Sequence, residues 1–196
     1  MIQLLSPLAY RVLPWKNGGG STTEIAVDPD GAGWDDFTWR VAIADVRTSG
    51  PFSSFPGIDR SILLLECPRG TQMVLTIDGR KTPLQPHEFV DFDGEATAHG
   101  ELYGEPVRDF NVMSRRGVVR HRRGWKSISA SEVFRLGGTD QRVVFVASGS
   151  AELISPVASR MVAAGESLVA RGDETLALKG GRAGAHLVWV VFSAAM

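Results

Sequence analysis

The chain has 196 residues, of which 43% are hydrophobic and 22% charged, as in a globular protein with one sizeable domain or two small fused ones. Its formal net charge of −1 gives no reason to expect nucleic acid or an anionic membrane as a partner. The single cysteine excludes an intramolecular disulfide, the N-terminal residues lack the basic region of a signal peptide, and no apolar run approaches the ~20 residues of a membrane helix. We therefore expect a cytoplasmic protein.

The most distinctive segment is glycine-rich and runs from Leu13 to Glu24 with the sequence LPWKNGGGSTTE. Three consecutive glycines cannot hold a helix and weaken a strand, so we predict a loop whose backbone can approach another group closely. The loop carries an indole, the cation of Lys16, the amide of Asn17, several hydroxyls and a carboxylate. It is either a recognition loop or a solvated turn around a packed Trp15.

Short apolar and β-branched runs, separated by glycine and proline, are spaced evenly along the chain. This spacing is typical of an all-β sandwich or barrel, and no long amphipathic helix is predicted. Residues 127–136 are compatible with one short helical turn or with an extended connector. The predicted strands are 38–46, 61–67, 72–77, 88–92, 108–114, 142–148, 151–154, 166–170 and 186–193.

The first of these strands carries a cation among small residues. Alternate residues of a strand point to the same side, so Arg40 shares a face with Ala42 and Ala44. This arrangement indicates a cation held over a cavity. The alternative is an outward arginine on a solvated face.

A weak internal repeat lies at an offset of 78 residues, with chance similarity as the alternative. The matching pairs are Glu88/Glu166, Gly94/Gly172 and Thr97/Thr175, and strand 108–114 falls on 186–192.

The two copies of the repeat differ in polarity at one strand. Residues Asp109 and Asn111 share a face in the first copy, whereas the second copy has Leu187 and Trp189 at these positions. A strand with one polar face can line a pocket, and a strand that is apolar on both faces fills a core. We therefore predict the ligand site in the N-terminal half.

Arg60 is the main candidate for binding an anion, because a guanidinium can hold a carboxylate through two parallel hydrogen bonds. It follows a turn that contains Phe52 and Phe55, whose rings could flank a planar ligand. The alternative is a structural salt bridge from Arg60 to Asp59 or Asp109. Glu24 is assigned to the site as a carboxylate that orients Lys16 or Arg40. The other residues assigned to the site are Lys16, Asn17, Arg40, Asn111 and Asp109.

Signals for metal and nucleophilic chemistry are missing from the sequence. The four histidines are His87, His99, His121 and His186, and no two are close enough for a His-x-His pair. We expect each on the surface, no bound metal and no cofactor. Cys67 is expected to be a buried structural thiol, and neither a nucleophile elbow nor a phosphate-binding loop is present. The basic run 115–123 is predicted to be a solvated stretch or a linker.

Four motifs occur in order within the first 120 residues: WKNGGG with TTE at 15–24, WRVAIA at 39–44, GPFSSFPGIDR at 50–60, and DFNVM with RRG at 109–117. Together they resemble the HutD/Ves family. The resemblance implies a bicupin, with two fused cupin-type β-barrel lobes: residues 1–123 with the ligand pocket, and residues 124–196, mainly structural. The first strands are candidates for exchange between the lobes.

The same resemblance implies a protein of bacterial histidine utilisation that binds urocanate or formylglutamate and limits flux, although Ves-type members are linked to stress or cold response. A small carboxylate is thus the expected partner. Two alternatives remain: a metal-independent isomerase or hydrolase with Glu24 or Asp109 as base, and an interaction module with a vestigial pocket. The sequence leaves the oligomeric state open, with a homodimer as one option.

Overall fold

The computed structural model describes residues 1–15, 18–155 and 159–195, which form seventeen strands and one short 3-10 helix at Pro7–Ala9. None of the helices in these ranges is long and apolar enough to cross a membrane. The strands are β1 Ile2–Leu5, β2 Arg11–Pro14, β3 Gly20–Asp28, β4 Trp39–Val46, β5 Gly50–Pro51, β6 Ile58–Glu66, β7 Gln72–Ile77, β8 Arg80–Pro83, β9 Phe89–Asp93, β10 Ala98–Tyr103, β11 Val107–Arg115, β12 Val119–Ile128, β13 Val133–Leu136, β14 Gln141–Leu153, β15 Arg160–Ala163, β16 Ser167–Ala170 and β17 Leu176–Ala194.

The chain divides into two compact units. The N-terminal unit comprises Arg11–Arg120 together with Ala195, and the C-terminal unit comprises His121–Ala194 together with Met1–Tyr10. Strand β1 belongs to the C-terminal unit because it pairs with β16 in antiparallel register. The division after Arg120 lies close to the boundary at 123 that the sequence suggested.

The N-terminal unit contains two antiparallel sheets. One has the strand order β2-β3-β4-β11-β6-β9, and the other has the order β5-β10-β7-β8. Strands β4 and β11 are buried on both faces, as expected for central strands rich in Val, Ile, Ala and Phe. Both sheets contribute to one apolar cluster, made of Ala44, Val46, Ile62, Leu64, Met73, Leu75, Leu84, Phe92, Ala98 and Val107.

The C-terminal unit is built on one seven-stranded sheet with the path β1-β16-β14-β17-β12, to which β13 and β15 are added. The predicted strands 142–148 and 151–154 are one continuous strand, β14, which bends at two register shifts where it pairs with β17. The connector over 127–136 is extended: it contains the end of β12, a turn and β13.

The predicted repeat is present in the strand pairing. Strand β6 pairs with β9 and β11, and β14 pairs with β16 and β17. Arg60 lies opposite Phe92 and Met113, and Arg142 lies opposite the residues 78 positions further on, 170 and 191. The offset of 78 residues is therefore confirmed for β9 with β16 and for β11 with β17. Between β6 and β14 the offset is 82 residues, and there Arg142 occupies the position of Arg60.

Several polar segments form strands that the sequence did not predict. Gly20 begins β3, so the glycine-rich segment is only in part a loop. The basic run 115–123 ends β11 and begins β12, and the division between the two units falls within it, after Arg120. It therefore links the two units, as one of the two predicted alternatives had it, but mostly as strand and not as a flexible segment.

Candidate functional site

A cavity of about 860 Å³ opens in the N-terminal unit, between the inward face of β4 and the loop that follows it. Arg40, Ala42 and Ala44 all line this cavity, so the predicted face of β4 is confirmed. The volume lies within the range of small-molecule sites, roughly 300–1,000 Å³. Arg60 and Asn111 line the same cavity from β6 and β11.

Arg60 is nearly completely buried, with 5% of its surface exposed. Its Nη1 donates to the carbonyl oxygen of Ser53 at 3.1 Å, and its Nη2 donates to Oδ1 of Asn111 at 3.1 Å. Its Nε has no hydrogen-bond partner in the described part of the chain. A guanidinium has five N–H donors, so three of them have no acceptor among the described residues.

No carboxylate forms an ion pair with Arg60 within the described ranges. The alternative prediction, a structural salt bridge from Arg60 to Asp59 or Asp109, is therefore wrong. Asp59 pairs with Arg116 instead, at 2.7 Å. Burial lowers the pKa of Arg60 from 12.5 to about 10, and the charge of Asp109 offsets part of this effect. Arg60 is therefore a desolvated cation with spare donors.

Three phenyl rings surround the Arg60 guanidinium. Its carbon lies 4.8 Å from the ring centroid of Phe92, 5.4 Å from that of Phe55 and 5.5 Å from that of Phe52. At these distances the electron-rich ring faces attract a cation. Phe52 and Phe55 also line the cavity, so a ligand at Arg60 would contact aromatic surface.

Asn111 and Asp109 lie behind Arg60 on β11. Asn111 donates through Nδ2 to Oδ1 of Asp109, which is completely buried and is not among the residues that line the cavity. Burial raises the pKa of Asp109 from 3.8 to about 7, while the charge of Arg60 and the hydrogen bond from Asn111 act to lower it.

Arg40 is as deeply buried as Arg60 but, unlike Arg60, has a carboxylate beside it. Its Nη1 lies 3.0 Å from Oε2 of Glu24, and its Nη2 donates to the carbonyl oxygens of Ala32 at 3.1 Å and Gly33 at 2.8 Å. The guanidinium also stacks on Trp34, 4.0 Å from the ring centroid. The predicted pairing of Glu24 with Arg40 is therefore present. The alternative prediction, that Arg40 points outward into solvent, is wrong.

The contact of Arg40 with Glu24 is an ion pair without an aligned hydrogen bond, because no described residue directs a donor at Oε2 of Glu24. Burial lowers the pKa of Arg40, and the charge of Glu24 acts in the opposite direction. The Nε of Arg40, like that of Arg60, has no hydrogen-bond partner in the described part of the chain, so the two arginines differ in charge compensation and not in spare donors. Because a carboxylate already lies beside Arg40, an anion would gain less there than at Arg60. Arg40 therefore builds the wall of the cavity.

The start of β3 explains the need for glycine in the glycine-rich segment. A Cβ on Gly20 would lie 2.1 Å from the carbonyl oxygen of Asp45 and 2.9 Å from the Trp15 ring. The indole N–H of Trp15 donates to Oγ1 of Thr22 at 2.8 Å, which fixes the ring at the cavity. Lys16 and Asn17, both predicted as ligand-binding, lie outside the described residues.

Two parts of the cavity wall were not identified from the sequence. Trp34 and Arg115 both line it, and Arg115 donates to the carbonyl oxygens of Phe37 at 2.9 Å and Asp35 at 2.8 Å. A tryptophan in the polar loop Gly33–Asp36 is an available signal, because an exposed indole in a loop often marks a contact surface.

The four histidines belong to no metal-binding group among the described residues. His87, His99 and His186 are exposed, and His121 is half-buried where a surface position was expected. Across the described ranges, no group of three or more His, Cys, Asp or Glu side chains could hold a metal ion. Cys67 is half-buried, its thiol donates to the carbonyl oxygen of Thr71 at 3.3 Å, and burial raises its pKa.

The fold and the cavity define an all-β, cupin-like protein. A cupin 2 conserved barrel domain protein from Leptotrichia buccalis has a TM-score of 0.58 at 10% identity, with 88% of each chain covered, and this likeness concerns the fold alone. The predicted fold class is therefore confirmed.

The chain belongs to the HutD family, whose model matches residues 8–188. It is 42% identical over 125 residues to an uncharacterized 21.2 kDa protein in the hutC 3′ region of Pseudomonas putida, a match that covers 63% of this chain and 64% of that protein. It is 36% identical over 140 residues to protein Ves of Citrobacter koseri, covering 71% and 69%. The structure of HutD from Pseudomonas fluorescens SBW25 has a TM-score of 0.81 and 29% identity, with all of both chains covered.

Proposed function

We propose that the N-terminal unit binds a small planar carboxylate at Arg60, and that the protein acts as a ligand-responsive regulator of histidine catabolism. The observation that carries this proposal is a buried guanidinium that lines a cavity and has, among the described residues, no carboxylate paired with it and no acceptor for its Nε. A desolvated cation without an ion pair is costly, and a ligand carboxylate would supply the missing charge and acceptors.

The surroundings of Arg60 favour a flat ligand. Phe52 and Phe55 contribute ring surface to the cavity beside the guanidinium, and Trp15 and Trp34 contribute indoles further along its wall. Aromatic walls bind a planar group through stacked or edge contacts. Urocanate, with a carboxylate conjugated to an imidazole ring, fits this chemistry, and formylglutamate is the non-aromatic candidate.

The link to histidine catabolism comes from the relatives. The family is HutD, and a Pseudomonas putida relative is described by its position beside hutC. Membership of this family supports a role in the regulation of histidine utilisation, and the cavity supplies a place where a pathway intermediate would be sensed.

Calorimetric titration of the full chain with urocanate and with N-formylglutamate tests the proposal. We expect Arg60→Gln to weaken carboxylate binding by about tenfold or more, because a charge-assisted contact is lost and ~1.4 kcal/mol is one decade of affinity. Arg60→Lys is expected to restore only part of the affinity, since an ammonium cannot reproduce the planar fork. Arg80→Gln, which changes an exposed arginine of the same unit, is the matched control.

The competing function is a metal-independent enzyme. The observation in its favour is the pKa of Asp109, which lies near neutrality as a general base requires. Asp109 does not line the cavity, however, and Asn111 stands between it and Arg60. Product analysis after prolonged incubation decides the matter: turnover would establish an enzyme, and the absence of both binding and turnover would favour an interaction module.

A further inference from the structure

The side chain of Arg60 at the cavity is connected by hydrogen bonds to the amide of Asn111 and, through it, to the carboxylate of Asp109. Asn111 accepts a hydrogen bond from Arg60 through Oδ1 and donates one to Asp109 through Nδ2. The Oδ2 atom of Asp109 is buried and has no hydrogen-bond partner in the described part of the chain. We call the three side chains Arg60, Asn111 and Asp109 the Arg60 relay, since they lead from the cavity wall into the core.

The surroundings of Asp109 contain few groups that could influence its charge. The residues opposite it in the sheet are Ala44 on β4 and Leu64 on β6. Ala44 and Leu64 belong to an apolar cluster to which the other sheet of this unit contributes Met73, Leu75 and Ala98. Among the described residues, the charges that act on Asp109 are those of Arg60 from β6 and Asp45 from β4, and Asp45 is itself ion-paired.

These contacts place Asp109 in a balance between two charge states. Burial favours its neutral form, and the charge of Arg60 together with the hydrogen bond from Asn111 favours its ionised form. The outcome is a pKa of about 7, where a small change in the charge of Arg60 alters the protonation of Asp109.

We propose that Asp109, acting through Asn111 as a positioning residue, couples anion binding at Arg60 to the uptake of a proton. The inference rests on the proposed function, because it requires an anion at Arg60. A bound carboxylate offsets the positive charge that favours ionised Asp109, so the buried acid takes a proton from solvent as the complex forms. The carboxylate of the ligand stays ionised, and the proton that Asp109 takes up is released by the buffer; uptake is partial because a fraction of Asp109 is already protonated near pH 7.

The sign of the resulting pH dependence follows from linkage. Because the pKa of Asp109 rises in the complex, binding is strongest below the pKa of the free protein, about 7. Binding weakens as the pH rises through the pKa of the complex. The same site would therefore bind a carboxylate more tightly in a slightly acidic cell than in an alkaline one.

Calorimetric titration of the full chain with trans-cinnamate and N-formylglutamate between pH 6 and 8.5 tests the coupling. Neither probe has a group that titrates in this range, whereas the imidazole of urocanate would. We expect the affinity to rise by about tenfold from pH 8.5 to 6, which corresponds to a shift of about one unit in the titration of Asp109. Titrations in buffers of different ionisation enthalpy should show uptake of up to about half a proton near pH 7.5, the maximum that a shift of about one unit allows.

Asp109→Asn keeps an acceptor for Asn111 and removes the titrating group. We expect this variant to bind both probes with pH-independent affinity and without proton uptake, while Asp45→Asn, a change of the neighbouring carboxylate, keeps the pH dependence. Should Asp109→Asn fail to fold, carbon-13 NMR of the aspartate carboxyls in the unaltered protein measures the same titration with and without probe.

The outcomes separate the two proposals. Binding of a probe with constant affinity across the pH range and no proton uptake overturns the coupling and leaves the proposed function standing. Absence of binding by both probes and by urocanate at pH 6 overturns both. The NMR titration of Arg60→Gln without ligand adds a direct check, because loss of the cation should raise the pKa of Asp109; an unchanged titration would show that the relay does not couple them.

Discussion

Replacement of Arg40 by methionine tests whether this buried arginine is a structural element of the cavity wall. Arg40 is 2% exposed, and its side chain contacts the carboxylate of Glu24 and the carbonyl oxygens of Ala32 and Gly33. Methionine retains much of the volume but removes the charge and every donor. Glu24, whose side chain is 11% exposed, would then be a buried carboxylate without its cation.

We expect Arg40→Met to lower the free energy of unfolding by about 3 kcal/mol, the lower end of the range for a broken buried pair. The lower end applies because the ion contact is not a well-aligned hydrogen bond. The lost stacking on Trp34 is included in this sum, at ~1 kcal/mol. Urea unfolding followed by far-UV circular dichroism measures the change, with an unchanged m-value as a check that the unfolding transition is the same.

A double-mutant cycle isolates the pair itself. Glu24→Gln alone leaves Arg40 uncompensated, so the double variant should be more stable than the sum of the two single changes predicts, with a coupling of about 1–3 kcal/mol. Arg108→Met is the matched control, because Arg108 is paired at the surface, 36% exposed, and should cost under ~1 kcal/mol. If Arg40→Met and Arg108→Met cost the same, the structural role assigned to Arg40 is wrong.

Three further outcomes are expected in the same unfolding assay. Gly20→Ala should cost roughly 1–3 kcal/mol by overpacking against the Asp45 carbonyl, whereas Gly50→Ala, with open space at its Cβ, should be close to neutral; equal effects would contradict the steric account. Tyr10→Phe should cost about 1 kcal/mol through its lost hydrogen bonds. Burial raises the pKa of Tyr10 to about 12, so the unaltered protein should lose stability between pH 10 and 12 and the variant should not. Asp109→Asn should be the more stable protein above pH 7 by up to about 4 kcal/mol and should lose this advantage below pH 4, because the folded state raises the pKa of Asp109 from 3.8 to about 7; a constant difference would refute this.

The apolar strands could be predicted because their pattern depends on local sequence alone. The predicted strand 72–77 matches β7 at both ends, and the inward face of β4 with Arg40 and Ala42 is correct. Period-two alternation fixes which side chains share a face, whatever the partner strand is. The repeat was detectable for the same reason, because corresponding strands in the two halves carry similar patterns of apolar residues and glycine at similar spacing.

The polar strands could not be predicted, because pairing with a neighbour decides them. β3 begins at a glycine and carries serine and threonine, and β10 contains Gly100, whose missing side chain admits Phe52 and Met73. Such segments have weak intrinsic strand preference and form strands when the adjacent strand offers a complete ladder of hydrogen bonds. β12 is another such strand: it carries a run of arginines, lies at the edge of its sheet and forms because it pairs with β17.

The sequence by itself determined an all-β protein of the HutD family and the arginines that lie near its cavity, because residue type, alternation and motif order are properties of the chain. Only the tertiary structure decided which arginine has its charge compensated by a carboxylate. Antiparallel pairing brings Glu24 on β3 beside Arg40 on β4 and compensates that charge, whereas Arg60 on β6 receives an amide and a carbonyl but no carboxylate in the described part of the chain. A buried charge is stabilised or left open by groups distant in sequence, and their positions are fixed only when the sheets assemble.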